Sequence, residues 1–402
     1  MILPFSLILS FPAPEDPMNP ELLQGIKLSD VNGLQDHEAK IRAFVEDRMV
    51  DECGLIYSHL NARTLKPWTA EELRDLDTQP IYNKERGDPA GQLAYEDSLM
   101  ATGEYALSQV LRFTVTGDAL ALAAAAHPVY AILRVLYEGD YYERGFLPKP
   151  HGGMRKAAYS HEISPDQYIK CYVALRAYQP VAPPSLRKTI DAYLVAVADY
   201  FLNRNFMHPY RERTIVSPQS RPHCISIYIP SLCVAFNITG NKKYKDALSR
   251  FDPVLSDLTT GDTQVNFNIC SLYVEGFHLA LQEGAEDLRL REAIRKQWEM
   301  NVKLVADDGF GYESAGKSPK TSRVMRLAAS APIVDRYFPE LQAHKTGLFI
   351  LQKITDPKAM TYFTEFDPKH HPPGHRYLPE SICETSVTSW LLAFWRFKEM
   401  LR

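Results

Sequence analysis

Two aspartates near the predicted starts of helices are the residues of this sequence best suited to proton transfer. Asp97 lies at the beginning of a helical pattern over residues 94–115, and Asp166 begins another pattern over residues 165–178. A carboxyl group that faces a cavity beside aromatic rings has a raised pKa and can act as a general acid. A structural role is equally compatible with the pattern, because an acidic residue in the first turn complements the helix dipole.

The helix that begins near Asp97 has two distinct faces. Its core stripe consists of apolar or small residues: Leu99, Gly103, Ala106, Val110 and Phe113. The opposite face carries Asp97 and Glu104 together with the small residues Ala101 and Ser108. If this helix is an inner helix of a larger assembly, we expect that second face to line a central cavity.

The residues around Asp166 also fit an ordinary helix start. Ser164 can be the N-cap and Pro165 suits the first helical position. Gln167 would complete a capping box with Ser164, and Asp166 would favour the helix dipole. The local pattern therefore leaves both a structural and a catalytic role open.

Two long segments, about 138–164 and 205–222, mix aromatic and cationic side chains. Aromatic rings offer faces for the C–H groups of a sugar, and arginine or lysine pairs with a carboxylate. We expect binding residues for an anionic ligand here, although each side chain could instead be an ordinary surface residue. Together with Gln167, the binding candidates are Tyr142, Arg144, His151, Tyr159, His161, Arg221 and His223.

Other polar residues give weaker signals. They are Asn266, Glu275 and His278 on one predicted helix, Asp307, Asp308, Tyr312 and Glu313 in a later loop, and His370, His371 and His375 in the motif HHPPGH. The histidine motif lacks the carboxylate-rich or cysteine partners of a closed metal site, so we expect no metal. The sequence has no P-loop, dinucleotide glycine fingerprint or GxSxG elbow, and we expect no cofactor.

The composition is that of a folded globular protein. Of 402 residues, 45% are hydrophobic, and 45 basic against 49 acidic residues give a net charge of −4. No basic block is typical of nucleic-acid binding, and the six cysteines form no CxxC pair and are expected to be reduced. An apolar run opens the chain, but no Lys or Arg precedes Lys27. We expect a cytoplasmic protein, or a periplasmic or secreted one if that run is a signal, and no membrane span.

Helical periodicity recurs from about residue 36 to the end, without convincing strand alternation. The predicted helices are 36–50, 94–115, 118–137, 165–178, 185–204, 223–238, 242–258, 264–281, 286–305, 321–336, 340–353 and 382–400. Twelve helices joined by alternately tight and long connections predict an all-α (α/α)6 toroid of six hairpins. We expect one such domain over residues 31–402 after an extension over residues 1–30, with 36–50 packed beside 382–400 to close the ring.

Two of the tight connections have matching sequences. FTVTGD, which ends at Asp118, and FNITGN, which ends at Asn241, each place a glycine at a helix end and then a residue able to cap the next helix. The long connections would then gather at the other end of the ring, beside the N-termini of the inner helices. Loops of this length are usually functional, so this end is the expected site.

These corners, together with the segments YEDSLMATGEY from Tyr95 and SPDQY from Ser164, resemble the six-hairpin glycosidases. The resemblance covers about residues 90–310 and is strongest to the unsaturated glucuronyl and rhamnogalacturonyl hydrolases. It implies a glycoside hydrolase that acts on acidic, unsaturated uronyl oligosaccharides. By the same resemblance, Asp166 would serve as general acid and then base, and Asp97 would assist it.

Other activities are compatible with such a toroid. A conventional inverting glycosidase would also use two carboxylates. A polysaccharide lyase would use a Tyr or His to remove a proton beside a uronate while Arg or His neutralises the carboxylate, and Tyr159, His161, Arg221 and His223 could serve in this way. A sugar epimerase would use paired histidines, and a carbohydrate-binding toroid would need no catalytic group.

Overall fold

The computed structural model describes residues 18–76, 88–154, 156, 164–210, 214–260, 266–313 and 319–402. The α-helices in these residues are α1 (Gln35–Phe44), α2 (Ala70–Asp75), α3 (Pro89–Leu93), α4 (Ser98–Thr116), α5 (Ala119–Gly139), α6 (Pro165–Tyr178), α7 (Pro184–Asn203), α8 (Ile225–Thr239), α9 (Lys242–Ala247), α10 (Asp252–Thr260), α11 (Phe267–Gln282), α12 (Leu288–Asn301), α13 (Met325–Tyr337), α14 (Ala343–Lys353) and α15 (Glu384–Met400). The strands are β1 (Leu60–Asn61), β2 (Lys66–Pro67), β3 (His208–Tyr210), β4 (Thr214–Val216), β5 (Gly311–Tyr312), β6 (Lys320–Thr321) and β7 (Ser381–Ile382).

Six of the described helices form a closed inner ring. In chain order they are α4, α6, α8, α11, α13 and α15; each contacts the next, and α15 returns to contact α4. The intervening helices pack outside this ring, with α5 against α4, α7 against α8, α12 against α11 and α14 against α13. The predicted all-α (α/α)6 toroid is therefore confirmed.

The first helix closes the outer layer of the ring. α1 packs against α15, where the Trp395 Nε1–H donates a hydrogen bond of 3.1 Å to Glu38 Oε1. Glu38 and Ile41 are both buried in this contact region. The 3-10 helix Leu28–Leu34, which precedes α1, also contacts α14 and α15. The predicted contact between residues 36–50 and 382–400 is confirmed.

All twelve predicted helices are present, with differences in detail. The helix predicted over 242–258 is interrupted, because a 3-10 turn over Leu248–Phe251 separates α9 from α10. The short helices α2 and α3 were not predicted, since six and five residues are too few to show a helical period. The strands were missed for the same reason; β1 pairs with β2 and β7, β3 with β4, and β5 with β6.

The two matching corners have the predicted geometry. Gly117 and Gly240 lie in the left-handed region, with φ of +71° and +67°. The Asp118 side chain accepts a hydrogen bond from the second backbone N–H of α5, and Asn241 does the same for α9. A residue with a side chain would be strained at either glycine, so these corners depend on glycine.

Two other glycines allow the inner helices to approach each other. A Cβ atom at Gly103 of α4 would lie 2.6 Å from the carbonyl oxygen of Lys170 on α6. One at Gly276 of α11 would lie 2.0 Å from the carbonyl oxygen of Ser226 on α8. The close helix contacts that bring the N-termini of the inner helices together therefore require glycine at these positions.

Two of the described helical segments are, by length and composition alone, long and apolar enough to cross a membrane. They are Ala119–Gly139 and Pro222–Thr239. In this structure 50% and 67% of their most apolar windows are buried, since α5 packs against α4 and α8 is part of the inner ring. Their apolar composition has an ordinary explanation in core packing.

The centre of the ring is filled by a network of buried charges. Lys170 Nζ lies 3.0 Å from Glu104 Oε1 and 2.9 Å from Glu275 Oε1, and Arg396 Nη1 lies 3.2 Å from the same Glu275 atom. Glu104 and Ser108 were expected on a face of α4 that lines a cavity, but both are buried. That face therefore packs against the other inner helices, and a cavity of about 410 Å³ lies further along α4, beside Leu107, Val110 and Thr114.

Candidate active site

Asp97 and Asp166 lie at the same end of the ring, in two adjoining pockets. Asp97 is the N-cap residue of α4, and Asp166 is the second residue of α6. The pocket at Asp97 has a volume of about 460 Å³ and the one at Asp166 about 230 Å³. Arg323, from the connection before α13, lines both pockets. The two predicted catalytic carboxylates therefore face one shared mouth.

The Asp166 pocket is strongly polar. It is lined by Ser164, Pro165, Asp166, Arg221, His223, Asn266, Asn268, Ile269 and Arg323. Asn268 Nδ2 donates to Asp166 Oδ2 at 3.2 Å, and the Gln167 backbone N–H donates to Oδ1 at 3.1 Å. Burial, and next the negative charge of Asp97, raise the pKa of Asp166 above its ordinary value. A carboxyl group in this setting retains a proton more readily than an exposed aspartate does.

The start of α6 does not form the capping box that the sequence allows. The Ser164 side chain makes no capping hydrogen bond. Gln167 instead donates from Nε2 to the carbonyl oxygen of Glu96 at 2.7 Å, and it is buried. Gln167 therefore connects the start of α6 to the residues before α4 and lines neither pocket.

Asp97 is held by two groups from distant parts of the chain. Its backbone N–H donates to Ser58 Oγ at 3.0 Å, and its Oδ2 accepts a hydrogen bond from the Tyr362 hydroxyl at 3.2 Å. The His59 ring stacks on the Tyr362 ring, with 4.4 Å between centroids and 18° between planes. The pocket around Asp97 is lined by His59, Asp97, Glu313, Arg323, Tyr362, Phe363, His370, His371, His375, Tyr377 and Leu378.

A third carboxyl group, not singled out in the sequence, lies behind Tyr362. Glu384 is the first residue of α15 and is fully buried. Its Oε1 lies 2.9 Å from the Tyr362 hydroxyl, and its Oε2 accepts the His59 backbone N–H at 3.2 Å. Burial, and next the charge of Asp97, raise the pKa of Glu384 to about 7. Its position at the start of an inner helix, like those of Asp97 and Asp166, is the signal that could have identified it.

Arg323 is the cation at the boundary between the pockets. Its Nη1 donates to Glu313 Oε1 at 2.8 Å, and its guanidinium carbon lies 5.6 Å from the centroid of the Tyr362 ring. Asn266 Nδ2 donates to the same Glu313 oxygen at 2.6 Å. Burial would lower the pKa of Arg323, but Glu313 and Tyr362 outweigh burial and raise it, so the guanidinium stays charged. The sequence had marked Glu313 and Asn266 as weak candidates and had not marked Arg323.

Beside Asp97, Glu96 is paired with two residues of the long connection before α6. Lys149 Nζ lies 2.6 Å from Glu96 Oε1, and His151 Nε2 lies 3.0 Å from Oε2. Burial alone would raise the pKa of Glu96, but Lys149 and His151 lower it overall. His151, a predicted binding residue, therefore contacts Glu96 and does not line either pocket.

The remaining predicted binding residues divide into three groups. Arg221 and His223 line the Asp166 pocket, where burial and then Arg221 lower the pKa of His223 to about 4. Tyr142 and Arg144 line neither pocket: the Tyr142 ring packs against Phe146, and Arg144 pairs with Asp140 and lies over the Tyr193 ring. Tyr159 and His161 lie outside the described residues.

The histidines of the HHPPGH motif belong to the wall of the Asp97 pocket. The His371 ring lies 4.4 Å from the Phe363 ring, and His370 pairs with Asp367. Burial lowers the pKa of both His371 and His375. Within the described residues, no group of three or more His, Cys, Asp or Glu side chains is arranged to hold a metal ion.

No protein-family model and no curated protein matches this sequence. Solved structures with the same fold do match. An unsaturated glucuronyl hydrolase specific for heparin has a TM-score of 0.55 at 10% identity, over 95% of this chain and 98% of its own. The unsaturated glucuronyl hydrolase of Bacillus sp. GL1, responsible for the degradation of glycosaminoglycan, has a TM-score of 0.56 at 13% identity, over 92% and 96%.

A polysaccharide lyase also matches, with a TM-score of 0.51 at 11% identity, over 83% of this chain and 98% of its own. Identities this low establish a shared fold. The resemblance to the six-hairpin glycosidases is thus confirmed for the architecture, across nearly the full length of the chain.

Proposed function

We propose that the protein is a hydrolase of unsaturated uronyl oligosaccharides, in which Asp166 is the proton donor and then the base. The observation that carries the proposal is the placement of Asp166 and Asp97 in adjoining pockets at one mouth, with Arg323 shared between them. Two unsaturated glucuronyl hydrolases share the fold, which supports the same class of substrate.

The proposed reaction adds one water molecule in two proton transfers. The Asp166 carboxyl gives its proton to the enol-ether double bond of the uronyl ring, leaving a cation beside the ring oxygen. The Asp166 carboxylate then removes a proton from water as the water oxygen adds to that cation, which restores the carboxyl. The product is a hemiketal, and its ring opens to a ketone. The anomeric carbon is then a hemiacetal, which breaks down and releases the second sugar.

The charges of the site suit both steps. The negative charge of Asp97 helps to keep Asp166 protonated, and an anionic Asp97 would also stabilise the developing cation. Arg221 and Arg323 both line the Asp166 pocket and could pair with the carboxylate of a uronyl ring. These two arginines are the basis for expecting an acidic sugar.

Asp166→Asn tests the proposal. The amide retains the size of the side chain but cannot donate a proton to the substrate or activate water. We expect turnover of an unsaturated uronyl disaccharide to fall by about 100 to 10,000-fold, the usual range for general acid–base catalysis. The measurement is the loss of ultraviolet absorbance of the substrate double bond, with a melting curve for each variant.

A matched control is Asp252→Asn, which alters an exposed first-turn aspartate of α10 that lines neither pocket. Removing a favourable charge at a helix start costs only about 0.3–1 kcal/mol of stability. If Asp166→Asn behaves like this control, with a slightly lower melting temperature and near-normal turnover, Asp166 is a helix-start residue and the proposal is wrong.

A polysaccharide lyase is the second candidate, since the Asp97 pocket is lined by His59, Tyr362 and His371 with Arg323. A base of that kind with a neutralising arginine is what a lyase requires. The two reactions change the ultraviolet absorbance of the double bond in opposite directions. A lyase creates the double bond and raises the absorbance of a saturated polyuronate, whereas the proposed hydrolase lowers the absorbance of an unsaturated oligosaccharide.

A further inference from the structure

Two carboxyl groups contact the same phenol oxygen beside the candidate active site. The Tyr362 hydroxyl oxygen lies 3.2 Å from Asp97 Oδ2 and 2.9 Å from Glu384 Oε1. Burial raises the pKa of Tyr362 well above its ordinary value, so the phenol keeps its proton. The three oxygens form a short chain that runs from the pocket wall into the core.

The number of protons in this chain follows from the chemistry of its groups. A phenol has one proton and can donate it to one acceptor, whereas an ionised carboxylate only accepts. If Asp97 and Glu384 were both ionised, one of the two contacts would join two acceptors without a hydrogen between them. Such a contact is costly in a buried site. A proton on one of the two carboxyl groups, donated to the Tyr362 oxygen, removes this cost.

The surroundings indicate that Glu384 is the protonated group. It is fully buried, whereas Asp97 is partly exposed at the pocket that Arg323 also lines. Burial disfavours the charged form of a carboxyl group. The groups around Glu384 are Asp97, Tyr362, His59 and Cys383, and Arg323 and Arg326 lie near Cys383. Burial lowers the pKa of His59 to about 4 and raises that of Cys383 to about 11, so both are neutral near pH 7. Arg326 donates to Thr385.

We infer that Glu384 is a positioning residue that acts as a protonated carboxylic acid and orients the Tyr362 hydroxyl toward Asp97. The hydrogen bonds then run in one direction, from the Glu384 O–H to the Tyr362 oxygen and from the Tyr362 O–H to the Asp97 carboxylate. Asp97 is thereby held as an anion in a fixed orientation next to Asp166. The role of Glu384 in catalysis rests on the proposed function, whereas the inference that Glu384 is protonated does not.

The first test needs no substrate. Infrared spectra of protein labelled with ¹³C in the glutamate carboxyls should show a protonated carboxyl band at about pH 6, where an ordinary glutamate with a pKa of about 4.3 is ionised. The band should disappear in Glu384→Gln and persist in Glu38→Gln, a control at another buried glutamate, which is paired with Arg42. Absence of the band from the wild type, or its persistence in Glu384→Gln, would overturn the inference.

The second test compares two replacements of Glu384. In Glu384→Gln the amide N–H can donate to the Tyr362 oxygen and the amide oxygen can accept the His59 N–H, which reproduces the protonated acid. Glu384→Met retains the volume but neither hydrogen bond. On an unsaturated uronyl disaccharide we expect Gln to retain kcat and to lose any pH inflection near 7, and Met to lower kcat by about tenfold or more.

Equal activity and equal pH profiles in the Gln and Met variants would contradict the positioning role. The hydrogen bonds that Gln forms and Met lacks would then have no effect on Asp97. Melting curves exclude a simple loss of folding, and Tyr362→Phe, which removes the hydroxyl but keeps the ring on His59, should match the Met variant. If the wild type does not turn over this substrate at all, the proposed function fails while the infrared result still decides the proton count.

Discussion

Arg323 links the two pockets of the candidate site. It lines both pockets, pairs with Glu313 and lies against the ring of Tyr362, which itself contacts Asp97. If a uronyl ring binds over Asp166, we expect both this ring and the sugar attached to it to lie close to the Arg323 guanidinium. Its positive charge is therefore placed to attract an acidic substrate.

Arg323→Gln is expected to raise KM for an unsaturated uronyl disaccharide by about 10 to 100-fold, since a hydrogen bond to a charged group contributes about 1.5–3 kcal/mol. The matched control is Arg112→Gln at the opposite end of α4. Arg112 is also paired with a carboxylate, and the two side chains are 15% and 17% exposed. Equal KM values for the two variants would show that Arg323 does not contact the substrate.

Which site residues could be predicted depends on how each is positioned. Asp97 and Asp166 lie at helix starts, where the periodic pattern itself marks them. Tyr362 and Arg323 lie in connections whose location relative to Asp97 is set only when the ring closes. No local pattern contains that information. The capping-box interpretation of Gln167 failed for a similar reason, because its distant partner is the Glu96 carbonyl.

At the scale of elements, the long amphipathic helices were predictable and the connections were not. A helix such as α6 has enough residues for its apolar face to be recognised, and its bounds agree with the sequence pattern. The break between α9 and α10 was missed although Pro253, the second residue of α10, marks it, since proline favours the first turn of a helix. The strand pairs β1–β7 and β5–β6 lie in the connections near the candidate site. Because β1 and β7 are far apart in the chain, no local sequence pattern indicates that they pair.

The closure of the ring by α1 has a direct stability test. Ile41 is buried on this helix, whereas its neighbour Lys40 is exposed. If α1 is part of the cooperative unit, Ile41→Ala should lower the free energy of unfolding by about 2–5 kcal/mol, the usual cost of removing a buried Ile side chain. Urea denaturation followed by circular dichroism measures this loss.

Lys40→Ala provides the control and should remain within about 0.5 kcal/mol of the wild type, as exposed substitutions usually do. The transition should stay single in both variants. A separate early transition in Ile41→Ala, with the main midpoint unchanged, would instead mean that α1 unfolds on its own and that the ring does not need it.

At the scale of the whole molecule, the buried charges at the centre of the ring connect the inner helices whose N-termini form the candidate site. Lys170 lies one turn after Asp166 on α6 and joins α4 and α11 through Glu104 and Glu275, while Arg396 adds α15. Ion pairs as buried as these contribute little net stability, but removing one partner leaves an uncompensated charge. The network therefore fixes the relative positions of the inner helices that carry the candidate catalytic residues.

Buried histidines make the stability of the whole ring depend on pH. His208 is 1% exposed, its Nδ1 lies 2.6 Å from the Tyr228 hydroxyl oxygen, and burial and then His223 lower its pKa to about 3. An unfolded histidine has a pKa of about 6.5. Between about pH 3 and 6.5 the unfolded chain thus binds a proton that folded His208 does not. The free energy of unfolding must fall as the pH falls through this range.

His208→Asn should reduce that acid sensitivity, because asparagine does not titrate and its amide group can form a hydrogen bond with the Tyr228 hydroxyl. One such histidine contributes up to about 1.4 kcal/mol per pH unit, or about 2 kcal/mol between pH 6.5 and 5. Urea denaturation at these two pH values should show a loss smaller by about this amount than in the wild type, whatever the variant's absolute stability. His127→Asn, at an exposed position on α5, controls for the substitution itself. An equal loss in the wild type and His208→Asn would mean that folded His208 takes up a proton in this pH range just as the unfolded chain does.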